Sequence, residues 1–319
     1  MVSEKPYTVI RFTGNNATIN QLWHEARNKG VGGSDVAKIM GISSFGTPKD
    51  VWDEKTGRVI PEDISDKPAI LVGNALEDVV RKWFQRQHPE LEVQQVHGML
   101  RSKTRPWAQA SLDGRCRVLG TKRNDPANYA VLECKTCSEF RAADWEDGVP
   151  DYYLTQVTHY LSVTGWPKAY VVVLIGNREF REFTVERDEQ DIAAVDKAVD
   201  DFWHLVETNQ MPQLTGTDVD RVQEQQPYPE GFEQVEDTDF DQLSALYDSY
   251  AQAESDARKS KAKIADRLKQ LVGGDREGLV SPHWQVGYRT IHFKEQAARP
   301  AKPAYDQRRF YVKQLKENN

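Results

Sequence analysis

The chain has 319 residues, 39% of them hydrophobic and 29% charged, with 49 acidic against 42 basic side chains, a formal net charge of −7 and a mean hydropathy of −0.70. That length supports one large domain, or a domain with an appendage, and the longest apolar run, YVVVLI at 170–175, falls far short of the roughly 20 residues of a membrane-spanning helix. Three cysteines exclude a disulfide framework and a four-thiolate metal site, and the first residues lack the apolar core of a secretory signal, so a cytoplasmic setting without membrane association is expected.

In chain order, Asn16–Lys29 carries Ile19, Leu22, Trp23 and Ala26 at helical spacing, and Ser34-Asp35 opens a second, short helix through Met40. Thr47-Pro48 starts a helix that stops at Gly57. The spacing of Leu76, Val79, Val80, Trp83 and Phe84 predicts a helix over Ala69–Gln87, ended by Pro89. Strands are expected over Leu91–Val96, over Trp107–Val118 with a turn at Asp113-Gly114, and over Tyr129–Lys135. A helix over Asp151–Thr164 follows, then a hairpin of Ala169–Ile175 and Arg178–Val185 joined at Gly176-Asn177, then a helix over 188–208. Met211–Gly231 is rich in proline, glycine and polar residues and reads as a linker. Phe240–Val272 predicts a long helix of coiled-coil-like periodicity, and Trp284–Phe293 and Arg309–Leu315 complete a small terminal module. The order predicts an α/β domain over 1–209 with a central mixed sheet flanked by helices, an acidic linker over 210–238, and a module of a long helix and a β hairpin over 239–319.

The net charge is unevenly placed. Residues 1–188 hold 25 acidic and 25 basic side chains, residues 189–241 hold 15 acidic and 2 basic, and residues 255–319 hold 7 acidic and 15 basic. A pI near 5.6 therefore does not exclude a polyanionic partner, because the acidity is concentrated in one middle segment, expected to face away from any nucleic acid.

Two strings stand out: ASLDG, containing Asp113, and VLECK, containing Glu133 and Lys135. Residues two apart on a strand share a face, so Glu133 and Lys135 project together while Cys134 turns the other way. Asp113, at the end of a neighbouring strand, adds a second carboxylate. Two carboxylates with the Cys134 backbone carbonyl form an all-oxygen site suited to Mg2+, with Mn2+ as the alternative. Taken alone, Glu133 and Lys135 describe a solvated pair on an edge strand better than a site. Cys134 and Cys137 fall on opposite faces, which argues against a C-x-x-C centre, and the histidines show no metal-ligand spacing. Trp107, Trp145 and Tyr160 read as packing residues. Glu77 cannot be separated from Asp78 by spacing.

The pattern D-x19-E-x-K resembles the PD-(D/E)xK nuclease superfamily, and the surrounding blocks resemble the YqaJ-like viral recombinase family, relatives of phage lambda exonuclease. RNKGVGGSDVAKIMG (27–41), VGNALEDVV (72–80) and LTQVTHYLSVTG (154–165) match its blocks in order, and the likeness covers roughly residues 20–185. Leu112 stands where a strict motif has proline. The resemblance implies a restriction-endonuclease-like core and a Mg2+-dependent exonuclease that digests linear duplex DNA from a 5′ end, leaving 3′ single strands for phage-type recombination in a bacterial cell. It places Asp113, Glu133 and the Cys134 carbonyl on the metal, Glu77 on it or on a second ion through water, and Lys135 and Gln156 at the nucleophilic water. Arg27 and Ser34 would hold a 5′-terminal phosphate. The partners implied are double-stranded DNA ends, a single-strand annealing protein and, by analogy, further copies in a ring trimer or tetramer. A structure-specific endonuclease of the same fold and a non-catalytic DNA-binding module are the alternatives.

Overall fold

The computed structural model describes residues 5–61, 64, 66–225, 232, 234, 235 and 238–288. The chain runs through β1 (Tyr7–Ile10), α1 (Asn16–Arg27), α2 (Gly33–Ile39), α3 (Pro48–Lys55), α4 (Pro68–Gln87), β2 (Leu91–Gln94), β3 (Met99–Ser102), β4 (Gln109–Ala110), β5 (Gly114–Val118) and β6 (Tyr129–Cys137). Next come α5 (Asp151–Thr164), β7 (Lys168–Ile175), β8 (Glu179–Glu186), α6 (Glu189–Glu207), α7 (Gly216–Gln225), α8 (Thr238–Val272), β9 (Gly278–Val280) and β10 (Gln285–Gly287). The chain divides into two compact units, residues 1–220 and 221–319. Among the described residues no helix is long and apolar enough to cross a membrane.

The first unit is built on a five-stranded sheet of order β2-β5-β6-β7-β8, antiparallel except for the parallel pair β6 and β7. Helix α5 makes the crossover between those two strands, the connection that parallel neighbours require. Strand β7 is buried on both faces, which explains its unbroken apolar sequence. On one face α4 packs Val80 and Phe84 against Leu132, Val172 and Leu174. On the other, Val157, Tyr160 and Leu161 of α5 meet Val131, Val171 and Val173. This helix, three antiparallel strands, helix and parallel strand form the restriction-endonuclease-like core that the resemblance implies. Helices α2, α3 and α6 close a third apolar cluster around Val36, Trp52 and Val199.

Several expectations change. Strands β1 and β3 were not legible, and with β4 they form a separate small sheet of order β1-β3-β4. The single strand expected over Trp107–Val118 is broken at 111–113, because β4 pairs with β3 while β5 joins the large sheet. The break leaves Asp113 at the tip of β5. The linker expected over 210–238 contains a helix at 216–225, whose start is anchored by buried Asp218: its carboxylate accepts from Thr47 Oγ1 at 2.8 Å and from Thr215 N at 2.9 Å. Asp218 is therefore a structural residue of the first unit, not part of a solvated acidic surface. In the second unit α8 ends at Gly273 (φ +77°), and β9 and β10 form an antiparallel hairpin. Arg309–Leu315 and the end of Trp284–Phe293 lie outside the described residues.

Candidate active site

Strands β5 and β6 pair as far as Gly114 opposite Leu132. Asp113 lies one residue beyond that ladder, so its carboxylate folds along the uncovered edge of β6, and Oδ2 accepts the Cys134 N–H at 2.8 Å. The N–H and C=O of one strand residue share an edge, so the Cys134 carbonyl faces the same side. Glu133 and Lys135 point instead to the α5 face. Lys135 Nζ is 2.5 Å from Glu133 Oε1 and donates to Gln156 Oε1 at 3.3 Å. Gln156 Nε2 donates to Glu133 Oε1 at 2.6 Å and to the Tyr160 hydroxyl at 3.0 Å. The second oxygen of the buried Glu133, Oε2, has no hydrogen-bond partner. A buried carboxylate oxygen left bare is costly unless a cation completes it.

Helix α4 brings Glu77 to this edge. Glu77 is half-buried, whereas Asp78 is exposed and pairs with Lys82. Arg81, one turn on, ties the helix to the strand tip: Nη1 donates to Glu77 Oε1 at 2.9 Å and to the Asp113 carbonyl at 3.1 Å. Among the described residues no three His, Cys, Asp or Glu side chains form a ligand group by themselves. A cation here would need oxygen from the backbone and from water, as Mg2+ ordinarily takes.

The electrostatics are those of crowded carboxylates. Burial, and next the Glu133 carboxylate, raise the Asp113 pKa to about 7. Burial, then Asp113, raises that of Glu77. For Lys135 burial favours the neutral amine, but Glu133 and Asp113 outweigh it and hold the ammonium above its ordinary range. Lys135 is thus a fixed cation at neutral pH rather than a general base.

Arg27 and Ser34 sit together beyond Gln156. Arg27 Nη2 donates to Ser34 Oγ at 3.1 Å and to Asp35 Oδ1 at 2.6 Å. Asp35 Oδ2 takes the Gly32 N–H at 3.1 Å, so that N–H at the start of α2 is already used. The buried Lys55 reaches Asp35 Oδ2 at 3.0 Å. The two clusters adjoin because α2 lies almost on α5: a Cβ on Gly33 would stand 2.5 Å from Tyr160 Cε1 and 2.8 Å from Gln156 Cγ. Gly33→Ala should therefore force α2 and α5 apart and cost about 1–3 kcal/mol in urea unfolding. An unchanged midpoint would show that the helices separate freely.

Residues 22–167 match the model of the YqaJ-like viral recombinase domain. The chain is 37% identical over 199 residues to the uncharacterized protein YqaJ of Bacillus subtilis (strain 168), a match spanning 61% of this chain and 59% of that relative. Among solved structures, the alkaline exonuclease LHK-Exo of Laribacter hongkongensis is 20% identical, with a TM-score of 0.48 over 60% of this chain and 94% of that one. A phage-related exonuclease of Haemophilus somnus 129PT is 14% identical, with a TM-score of 0.38 over 60% and 97%.

Within the matched residues 22–167, Asp113, Glu133, Lys135 and Gln156 form one connected cluster with Glu77 at its rim, and Arg27 and Ser34 form the adjoining one. Trp107 and Trp145 pack as expected: Trp107 Nε1 binds Asp200 at 2.7 Å, and Trp145 is buried against Tyr153 and Phe183. Cys134 and Cys137 do lie on opposite faces of the sheet. Three participants went unread. Arg81 follows Glu77 at i+4, a spacing that signals a helix pair. Tyr153 offers its ring to Lys135 Nζ at 4.5 Å, three positions before the fully buried stretch of α5 begins at Gln156. Lys55 gave no signal at all, since lysine is ordinarily exposed.

Proposed function

We propose that this chain is a divalent-metal-dependent deoxyribonuclease that hydrolyses linear duplex DNA from the 5′ end. The observation that carries the reading is the bare, buried Glu133 Oε2 beside Asp113 and the Cys134 edge, with Lys135 and Gln156 fixed on the opposite oxygen. Asp113, Glu133 and the Cys134 carbonyl would hold Mg2+ or Mn2+, with Glu77 reaching it through water. When bound, such a cation lowers the pKa of water and neutralises charge on a phosphoryl oxygen.

The chain's own residues do the rest. Lys135, kept protonated by its carboxylate neighbours, orients the attacking water and stabilises charge developing on the phosphorane, while the Tyr153 face and Gln156 fix its position. Gln156 and Tyr160 hold Glu133 in the orientation that leaves Oε2 bare. Arg27, only partly covered, and Ser34 would bind the terminal 5′ phosphate, and their place across Gly33 from Gln156 supports attack from a 5′ end. Double-stranded ends, a single-strand annealing protein and ring-type copies of the chain are the partners this reading proposes.

The test is incubation of 5′-phosphorylated linear duplex and covalently closed circular DNA with Mg2+, using the native chain and Lys135→Ala. Loss of the linear substrate alone is expected, slowed about 100- to 1,000-fold by the substitution. Cutting of the circle would point to an endonuclease, and hydrolysis of neither substrate to a non-catalytic module.

A further inference from the structure

The second unit carries an apolar seam that the nuclease reading does not use. Helix α8 has 35 residues, roughly 50 Å at 1.5 Å per residue. Phe240, Tyr247 and Leu268 recur on one heptad position, and Leu243, Tyr250, Ala257, Ile264 and Leu271 on the other. The large members are exposed: Leu243 at 66%, Tyr250 at 68% and Ile264 at 62%. Among the described residues of α8, Val272 at its end is the buried one, next to the hairpin. A helix of this length with an exposed apolar stripe is expected to bury it against another surface.

The seam is interrupted in the middle by Glu254 and Lys261, both on the first heptad position, and this determines what can cover it. In a parallel pair of α8 helices, Glu254 would face Glu254 and Lys261 would face Lys261, two like-charge layers inside the seam. In an antiparallel pair the two heptad positions alternate across the interface. A twofold axis between residues 255 and 256 then sets Phe240 on Leu271, Leu243 on Leu268, Tyr247 on Ile264, Tyr250 on Lys261 and Glu254 on Ala257. Every large apolar side chain of the seam except Tyr250 meets another or an aromatic ring. Lys261 lies against a tyrosine face, and Glu254 opposes the smallest residue of the seam, beside Arg258 of the second copy.

The flanking charges follow the same axis. Residues 238–255 hold four acidic and no basic side chains, whereas residues 256–272 hold six basic and two acidic ones. Antiparallel pairing lays the acidic half of each helix along the basic half of the other, and parallel pairing lays like upon like. We propose that α8 is a self-association surface whose occupant is the α8 of a second copy, paired antiparallel in this register. The pairing does not depend on the nuclease reading, and it joins the second units of two chains.

Cysteine cross-linking of the full chain tests both association and direction. Leu243→Cys and Leu268→Cys are made separately, with the unsubstituted chain as control for its three cysteines. Under mild oxidation, equal amounts of the two variants mixed together should yield a disulfide-linked dimer, while each alone should not, because like positions lie about 25 residues apart along the pair. Efficient linking of Leu243→Cys to itself would overturn the antiparallel register. Sedimentation of the native chain should show a species larger than the monomer, and Leu243→Glu should raise the midpoint of the α8-dependent dissociation at least tenfold with an unchanged melting profile of the first unit. A monomeric native chain at tens of micromolar would overturn the proposal outright.

Discussion

At pH 8, Asp113→Asn should melt higher than the native chain when divalent metal is absent, while in the presence of Mg2+ its hydrolysis of linear duplex should fall about 100- to 1,000-fold. The two effects have one cause. Burial and the Glu133 carboxylate lift the Asp113 pKa from 3.8 to about 7, so folding favours the protonated acid. That stabilising share is whole below the unfolded value near 3.8 and is lost as pH rises through about 7. Above that point the native chain carries a repelled buried charge, costing on the order of 1–3 kcal/mol. Asparagine keeps the acceptor for the Cys134 N–H and drops the charge. Adding Mg2+ should reverse the order: the native chain gains stability, more at pH 8 than at pH 6, and the variant gains little. Thermal melts at both pH values, with and without metal, decide it. A variant that melts lower than the native chain at pH 8 without metal would show that Asp113 stabilises the fold rather than straining it for a ligand.

What the sequence revealed about this site follows from how local each relation is. Asp113, Glu133 and Lys135 were legible because they lie on antiparallel neighbours, where a period of two fixes which side chains share a face. Glu77 against Asp78 was not legible from spacing, since both fall on the polar side of an amphipathic helix and Arg81 bonds to both; what separates them is burial, with Glu77 half-covered near Asp113 and Asp78 exposed. Strands β1 and β3 escaped because four-residue strands of mixed composition carry too little alternation. Helix α7 could have been found: Thr215-x-x-Asp218 is a hydroxyl and an acid at capping-box spacing, hidden in a proline-rich stretch. The contact of Gly33 with Tyr160 depends on how two distant helices meet, and no short-range pattern encodes it.

The buried charges behind Arg27 carry the second large effect. Asp35 is completely buried and receives Arg27 on one oxygen and Lys55, whose side chain is wholly covered, on the other. Burial alone would raise its pKa, but the two cations outweigh it and hold the carboxyl well below the usual range. Asp35→Ala leaves Lys55 buried with only the Arg27 carbonyl and Glu54 nearby, and frees Arg27 from the position in which it meets Ser34. The expected cost is about 3–5 kcal/mol in urea unfolding at pH 7, the usual penalty for stranding one partner of a buried pair. Because the Asp35 pKa is depressed, its contribution is whole above about 3.8 and fades as pH falls below it, so the gap between native and variant chains should narrow on acidification. Asp35→Asn with Lys55→Met should recover part of the loss, since removing both charges leaves neither stranded. The same variants separate scaffold from chemistry. If Arg27 binds the terminal phosphate, Arg27→Ala should abolish any preference for 5′-phosphorylated over 5′-hydroxyl ends, while the double variant, with Arg27 still present, should keep it. A preference that survives Arg27→Ala would leave the cluster with a structural role alone.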